Sequence, residues 1–273
     1  MSIISINGRL NSGKDTVGKI IQYLLIPNKG EHIGFQTFSD DALQRISGWE
    51  IKKFADKLKD IICILIGCTR EQLEDQNFKA TELGEEWWYW ETGDIFGKLN
   101  YLDNKDLFKS IPLAKLVKPT PRLLLQLVGT EGGRDLIHPN IWVNSLMSEY
   151  KWDGVTMTEG WIPTYNNPDN SGGDLPAEPV YPNWIITDMR FPNELDTVKQ
   201  KGGISIRVKR RRSDVQDEKG NDLFFDEKGY LIQEHPSETS LDNSTFDYEI
   251  ENNGTIEELI EKVRIILIQE NLL

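Results

Sequence analysis

Residues 2–25 read SIISINGRLNSGKDTVGKIIQYLL, and within them Gly8, four intervening residues and then Gly13-Lys14 spell a glycine-rich phosphate-binding loop. The flanks give the motif its weight. Ile3, Ile4 and Ile6 form an apolar strand before it, and KDTVGKIIQYLL after it has helical periodicity. Strand, glycine loop and helix in that order are the context such a loop requires. Its consecutive backbone N–H groups, with the positive end of the following helix, cradle phosphate oxygens, and Lys14 reaches the β- and γ-phosphates. Gly8, Asn11, Gly13, Lys14, Asp15 and Thr16 are therefore the candidate nucleotide-phosphate residues. The competing reading is a glycine turn with an exposed lysine. One position is unusual: where a small hydroxyl ordinarily meets Mg²⁺, this chain has Asp15. A carboxylate beside a polyphosphate is tolerable with a divalent cation between them, or with the side chain turned away. Asp15 is thus the candidate metal residue, with Thr16 as its competitor.

Composition bounds the rest. The chain has 273 residues, 38% hydrophobic and 27% charged, as suits one soluble domain carrying insertions. No stretch approaches the roughly 20 apolar residues of a membrane span, and the first residues read as a strand rather than a signal peptide. A net charge of −13 speaks against polymeric nucleic acid and acidic membranes as partners, but not against a small anion met by locally converging cations. Cys63 and Cys68 form no CxxC pair and the three histidines are scattered, so a reducing, cytoplasmic setting without a zinc site is expected.

Along the chain, strands alternate with helices. A short strand is expected near EIKKFA, followed by a helix through DKLKDIICILIG with Leu58, Ile61, Ile62 and Leu65 on one face. Residues 69–118 read as a helical insertion and 153–183, rich in Gly, Pro and Asn, as a loop insertion. TPRLLLQLVGTEGGRDL is a helix with Pro121 in its first turn, and HPNIWVNSLMSEYK is another. WIITD is a buried strand, PNELDTVKQKG a helix, GISIRVKR a strand, and residues 214–232 a hairpin inside a lid region over 210–238. FDYEIEN holds the last strand, and Thr255 caps the closing helix TIEELIEKVRIILIQ. The expectation is α/β, a mostly parallel sheet with helices on both faces.

Phosphoryl transfer needs cations that close around the moving group. Arg190 follows the strand WIITD, and Arg210, Arg211 and Arg212 end the strand ISIRV, where parallel sheets line their ligand crevice. Asp188 ends an apolar strand, the place of an acid that positions Mg²⁺ or its waters, or else it caps the next helix. Trp142 either stacks on a base or belongs to the core. His235 and Glu238 form a lid contact or a capping box around Ser237.

Taken together, GRLNSGKDT, FADKLKD, PRLLLQLVGTEGGRD with IWVNSL, WIITDMRFPNELDTVKQKGG, HPSE and FDYEIENNGTIEELIEKV resemble, in order, the phage deoxynucleoside monophosphate kinase family of P-loop kinases. That family's loop also reads GKDT, so Asp15 counts toward the resemblance. The resemblance implies a P-loop kinase-like three-layer α/β/α fold and transfer of the ATP γ-phosphoryl to a deoxynucleoside 5′-monophosphate with Mg²⁺. It places Lys14, Asp188 and Arg190 in catalysis. Gly8, Asn11, Gly13, Lys14, Asp15, Thr16, Arg210 and Asn253 would hold ATP, with Asn253 at the adenine. Lys59, Arg122, Gln126, Gly129, Thr130 and Trp142 would bind the acceptor, and Asp188, Arg190 and Glu194 would stand between the nucleotides. A loop lysine that the family can carry is Leu10 here, with Arg9 beside it. Rival readings are a phosphomevalonate-kinase-like enzyme and a non-catalytic nucleotide-binding module. A homodimer is left open, and a phage-encoded chain would work in the host cytoplasm.

Overall fold

The computed structural model describes residues 2–27, 34–92, 97–105, 114–151, 181–211 and 239–273. The lid region beyond Arg211, the hairpin, His235, Glu238, Arg212 and most of the 153–183 insertion lie outside them. The chain divides into two compact units, residues 1–54 with 146–273, and residues 55–145.

The first unit is built on five parallel strands: β1 (Ser2–Asn7), β2 (Trp49–Lys52), β6 (Asn183–Met189), β7 (Ile204–Lys209) and β8 (Tyr248–Glu251). Their order is β2-β6-β1-β7-β8, which makes β1 central. The expected mostly parallel α/β architecture is therefore present. Parity along β1 assigns its faces. Ile4 and Ile6 join the main core with Val17, Ile20 and Ile21 of α1 (Lys14–Leu24) and Leu259 and Val263 of α9 (Ile256–Gln269). Ile3 points the other way, toward Val198 of α8 (Pro192–Gln200), where Gly203 has no room for a Cβ. A sheet buried on both faces explains why IISI and WIITD are nearly continuous apolar runs rather than alternating ones. α2 (Asp40–Ser47) is capped by the Ser39 hydroxyl, which accepts from the Ala42 amide, and Thr255 caps α9 toward Glu258 as the sequence implied.

The second unit holds α3 (Asp56–Ile66), α4 (Arg70–Glu74) and α5 (Gln76–Ala80). It also holds an antiparallel sheet of β3 (Tyr89–Glu91), β4 (Lys98–Asn100) and β5 (Lys115–Val117), then α6 (Pro121–Gln126) and most of α7 (Ile141–Met147). Two expectations are corrected here. Among the described residues, α-helix in the 69–118 insertion ends at Ala80, with only short 3-10 turns beyond it; Tyr89–Glu91 of the aromatic stretch pairs as a strand, with Trp90 buried between Leu99 and Leu116. On α3, Leu58 and Ile62 are buried, but Ile61 and Leu65 are exposed. Apolar residues run most of the way around that helix, so periodicity could not select its inner face.

Thr120 caps α6 by accepting from the Leu123 amide, and Pro121 occupies the first turn as expected. From Leu127 to Ile137 the helix then widens to π winding, ending with the His138 amide on the Gly133 carbonyl at 2.9 Å. Glycine permits this geometry. A Cβ at Gly129 would lie 2.8 Å from Leu58 Cδ2, and one at Gly133 would lie 2.7 Å from the Val128 carbonyl and 2.8 Å from the Trp142 ring. Wide-wound segments of this kind recur at functional sites.

Candidate active site

The loop from Gly8 to Gly13 leaves the carboxyl end of the central strand, where the chain's direction across the sheet reverses and ligands bind in open α/β sheets. Two residues take left-handed backbone conformations, Asn11 at φ 60° and Gly13 at φ 98°. The neighbouring strands hold the loop closely. A Cβ at Gly8 would lie 2.5 Å from the Val208 carbonyl oxygen, and one at Gly13 2.4 Å from Asn252 Nδ2. Asn252 donates that amide to the Ser12 carbonyl at 2.9 Å, and its own N–H to the Lys209 carbonyl at 2.7 Å. Asn7 donates to the Met189 carbonyl at 2.9 Å and accepts from Arg207 Nε at 3.2 Å. Within the loop, Lys14 Nζ donates to the Arg9 carbonyl at 2.8 Å. Thr16 stands on the same first turn of α1 as Asp15.

Asp15 is met by a cation and a hydroxyl. Its Oδ1 accepts from Thr187 Oγ1 at 2.8 Å and pairs with Lys53 Nζ at 3.0 Å. Burial alone would raise this carboxyl's pKa. Lys53, the Thr187 hydrogen bond and the more distant Lys14 outweigh it and hold the group below its ordinary value. Asp188, the next residue along β6, accepts the Phe54 amide on Oδ1 at 2.8 Å. The helix-cap alternative for Asp188 fails, since α8 begins after Phe191.

Glu194 is 1% exposed and turns back on the strand-to-helix turn. Its Oε2 accepts the Arg190 amide at 2.6 Å and the Phe191 amide at 3.1 Å. It therefore fixes the backbone that carries Arg190. Arg210 and Arg211 are exposed at the end of β7, and Asn253, expected at the adenine, accepts the Arg211 amide on Oδ1 at 2.9 Å. Arg9 is engaged by Asp242 at 2.8 Å, with Arg207 3.7 Å from the same carboxylate.

In the second unit, Lys59 is the one residue expected to bind a monophosphate that meets Glu74 among the described contacts, alongside two cations the sequence did not mark. Lys59 Nζ lies 2.6 Å from Glu74 Oε1, Lys79 Nζ 3.7 Å from Oε2, and Arg70 3.6 Å from Oε1. Arg122 donates to Gln76 Oε1 at 2.9 Å. Burial pulls Lys79 below the usual lysine value, helped by repulsion from Lys59 and Arg122 and opposed by Glu74. Arg70 also pairs with Asp56 at 2.9 Å and Asp60 at 3.4 Å, so the cluster joins lysines and an arginine to more than one carboxylate. Gln126 ends α6, while Gly129 and Thr130 lie in the π segment. Trp142 is a core residue, packed with Leu58, Ile62 and Leu73, and its Nε1 donates to the Gly129 carbonyl at 2.8 Å. Of its two readings, core packing is the one realised; it braces the π segment.

Lys53, Lys79, Asn252 and Thr187 were not singled out in the sequence. Each is a lone polar residue whose partner is distant or unmarked by a motif.

The oxygen donors near the loop, Asp15, Thr16 and Asp188, match the chemistry of Mg²⁺. Among the described residues no group of three or more His, Cys, Asp or Glu forms a metal cage. A divalent ion here would take most of its ligands from phosphate and water, as Mg²⁺ does beside nucleotides. No helix among the described residues is long and apolar enough to cross a membrane.

Comparison with known proteins bears on the whole chain. No protein-family model matches it. It is 24% identical over 274 residues to the deoxynucleoside-5′-monophosphate kinase of Escherichia phage T5, spanning 92% of this chain and 89% of that one. It is also 27% identical over 152 residues to a protein of Acanthamoeba polyphaga mimivirus provisionally named a deoxynucleotide monophosphate kinase, covering 53% of this chain and 59% of that one. These relatives support the resemblance drawn from the motifs.

Proposed function

We propose that this chain, a relative of the deoxynucleoside monophosphate kinases, transfers the γ-phosphoryl group of ATP to a deoxynucleoside 5′-monophosphate. The observation that carries the reading is the glycine loop at the carboxyl end of the central parallel strand, closed so tightly that Gly8 and Gly13 have no space for a Cβ. Its amides and Lys14 would take the triphosphate, with Lys14 leaving the Arg9 carbonyl to do so. Lys59, Lys79 and Arg122 would take the acceptor's 5′-phosphate, which would replace Glu74 at the two lysines and Gln76 at Arg122. Arg190, on a turn fixed by Glu194, would neutralise charge on the transferred group, the main demand of phosphoryl transfer. Mg²⁺, held through Asp15, Thr16 or Asp188, would supply further charge neutralisation. The setting is the cytoplasm in which such nucleotides are found.

The test is a coupled ADP-release assay with ATP and Mg²⁺ across the common deoxynucleoside monophosphates, with phosphomevalonate as a control acceptor. Turnover with at least one deoxynucleotide is expected. ATP consumption at the background rate with every one of them would refute the reading.

A further inference from the structure

The acid that follows the loop lysine has a counter-charge supplied by a distant part of the chain. β2 ends at Lys52, and the next residue, Lys53, sets its ammonium 3.0 Å from Asp15 Oδ1. The same oxygen accepts the Thr187 hydroxyl at 2.8 Å. One strand fixes both contacts. Thr187 is fully buried in β6, and its neighbour Asp188 accepts the Phe54 amide, which pins the turn bearing Lys53. Gly18 lets α1 come this near: a Cβ there would lie 2.7 Å from Thr187 Cγ2 and 3.6 Å from Ile51 Cδ1. The arrangement is specific in direction. Thr187 and Asp188 project differently from β6, one toward α1 and the other toward the β2–α3 turn, yet both contacts converge on the placement of a single carboxylate.

We infer that Lys53 is a positioning residue of the phosphate loop, a counter-ion that neutralises Asp15 and ties its carboxylate to β6. A loop with an uncompensated acid on its first helical turn would repel the polyphosphate it is shaped to receive. Lys53 removes that repulsion without touching the nucleotide, and so permits Asp where a hydroxyl is usual. This inference rests on the loop being a nucleotide site.

The experiment is a double-mutant cycle on the full chain, read by calorimetric titration with ATP, once with Mg²⁺ and once with EDTA. Proteins are the wild type, Lys53→Met, Asp15→Ser and the double variant. Lys53→Met is expected to weaken ATP binding by roughly tenfold, and by more in EDTA, while in the Asp15→Ser background the same change shifts Kd by less than about twofold. Lys53→Arg should restore binding to within about threefold of wild type. Equal losses in both backgrounds would overturn the inference, since they would make Lys53 a direct phosphate ligand or a general structural residue. No loss in the wild-type background, or no ATP binding by the wild type, would also overturn it. If Lys53→Met melts early, Lys53→Gln enters the same cycle. Failure of the kinase reading is separately visible, as wild-type ATP binding without turnover of any monophosphate.

Discussion

Glu194 is where the motif-based reading and the structure part most usefully, because one predicts a substrate contact and the other a brace. The carboxylate is buried, and a single oxygen accepts two backbone amides, from Arg190 and Phe191. Hydrogen bonds to a charged group contribute about 1.5–3 kcal/mol each, so replacing Glu194 with Ala should cost on the order of 3–5 kcal/mol of stability. Glu194→Gln can keep the same oxygen as an amide carbonyl and lose only the charge assistance, costing about 1–2 kcal/mol. Kinetically, freeing the turn moves Arg190. Displacement of a catalytic group by about an ångström costs around a hundredfold in rate, so kcat of Glu194→Ala should fall toward that of Arg190→Ala, with KM for the acceptor nearly constant. Urea melts and steady-state kinetics on the three variants decide the matter. A Glu194→Ala protein as stable as wild type, with raised acceptor KM and intact kcat, would refute the brace and return Glu194 to the substrate.

Lys79→Met should raise KM for the monophosphate by about tenfold with little change in ATP affinity, because it removes one of the cations gathered around Glu74; competition binding with the unreactive acceptor phosphate checks this. Gly13→Ala should abolish ATP binding in a folded protein, since φ 98° and an Asn252 amide 2.4 Å from the new Cβ together forbid the loop geometry; calorimetry reads it directly. The Asp15–Lys53 pair should make stability pH-dependent. The folded carboxyl is held below its ordinary pKa, so its stabilising contribution is present above the ordinary carboxylate range and lost as pH falls through the lowered value. The Tm difference between wild type and Asp15→Asn should therefore favour wild type near about pH 7 and shrink as pH falls below the ordinary carboxylate range.

What could be read from the sequence was whatever local chemistry encodes. β1, the glycine loop and α1 are contiguous and punctuated by glycine, and β6 is an apolar run too short for anything but a buried strand. Thr255 is a cap because an exposed hydroxyl precedes a periodic segment, and Pro121 opens α6 because its fixed φ suits a first turn. The three strands in 89–117 are three residues each, too short for alternation to register, and their pairing sets Trp90 between leucines of two strands that lie apart in sequence. The turn ENNGT marks Asn253 as a candidate at the adenine, but the contact of its neighbour Asn252 with the loop, at Ser12, joins positions 240 residues apart and has no signature in sequence. Lys53 was invisible for another reason: its partner lies 38 positions earlier, and a lysine at a strand end is ordinarily a solvated charge.

The contacts around the loop also say how it would bind. Asn252 from the end of β8, the Val208 carbonyl of β7 and Thr187 of β6 each fix a different part of residues 8–15, so three strand ends act on one short turn. The left-handed conformations at Asn11 and Gly13 are thereby held in place before any anion arrives. Binding then costs little ordering of the backbone, and the amides' interaction with phosphate goes into affinity rather than into shaping the loop. The cations of the second unit are arranged on the opposite principle. Lys59 and Lys79 are already paired with Glu74, and Arg70 with Asp56 and Asp60 as well, so an incoming phosphate must displace a carboxylate to gain them. If the loop takes the donor and the cation cluster the acceptor, as proposed, the two would differ in salt sensitivity. Competition for cations already paired with a carboxylate weakens as salt screens those charges, over about 10 Å at 0.1 M, whereas the loop's backbone amides carry no net charge to be screened. Raising salt should therefore increase KM for the monophosphate well before it affects KM for ATP, and parallel increases in both would contradict this division of roles.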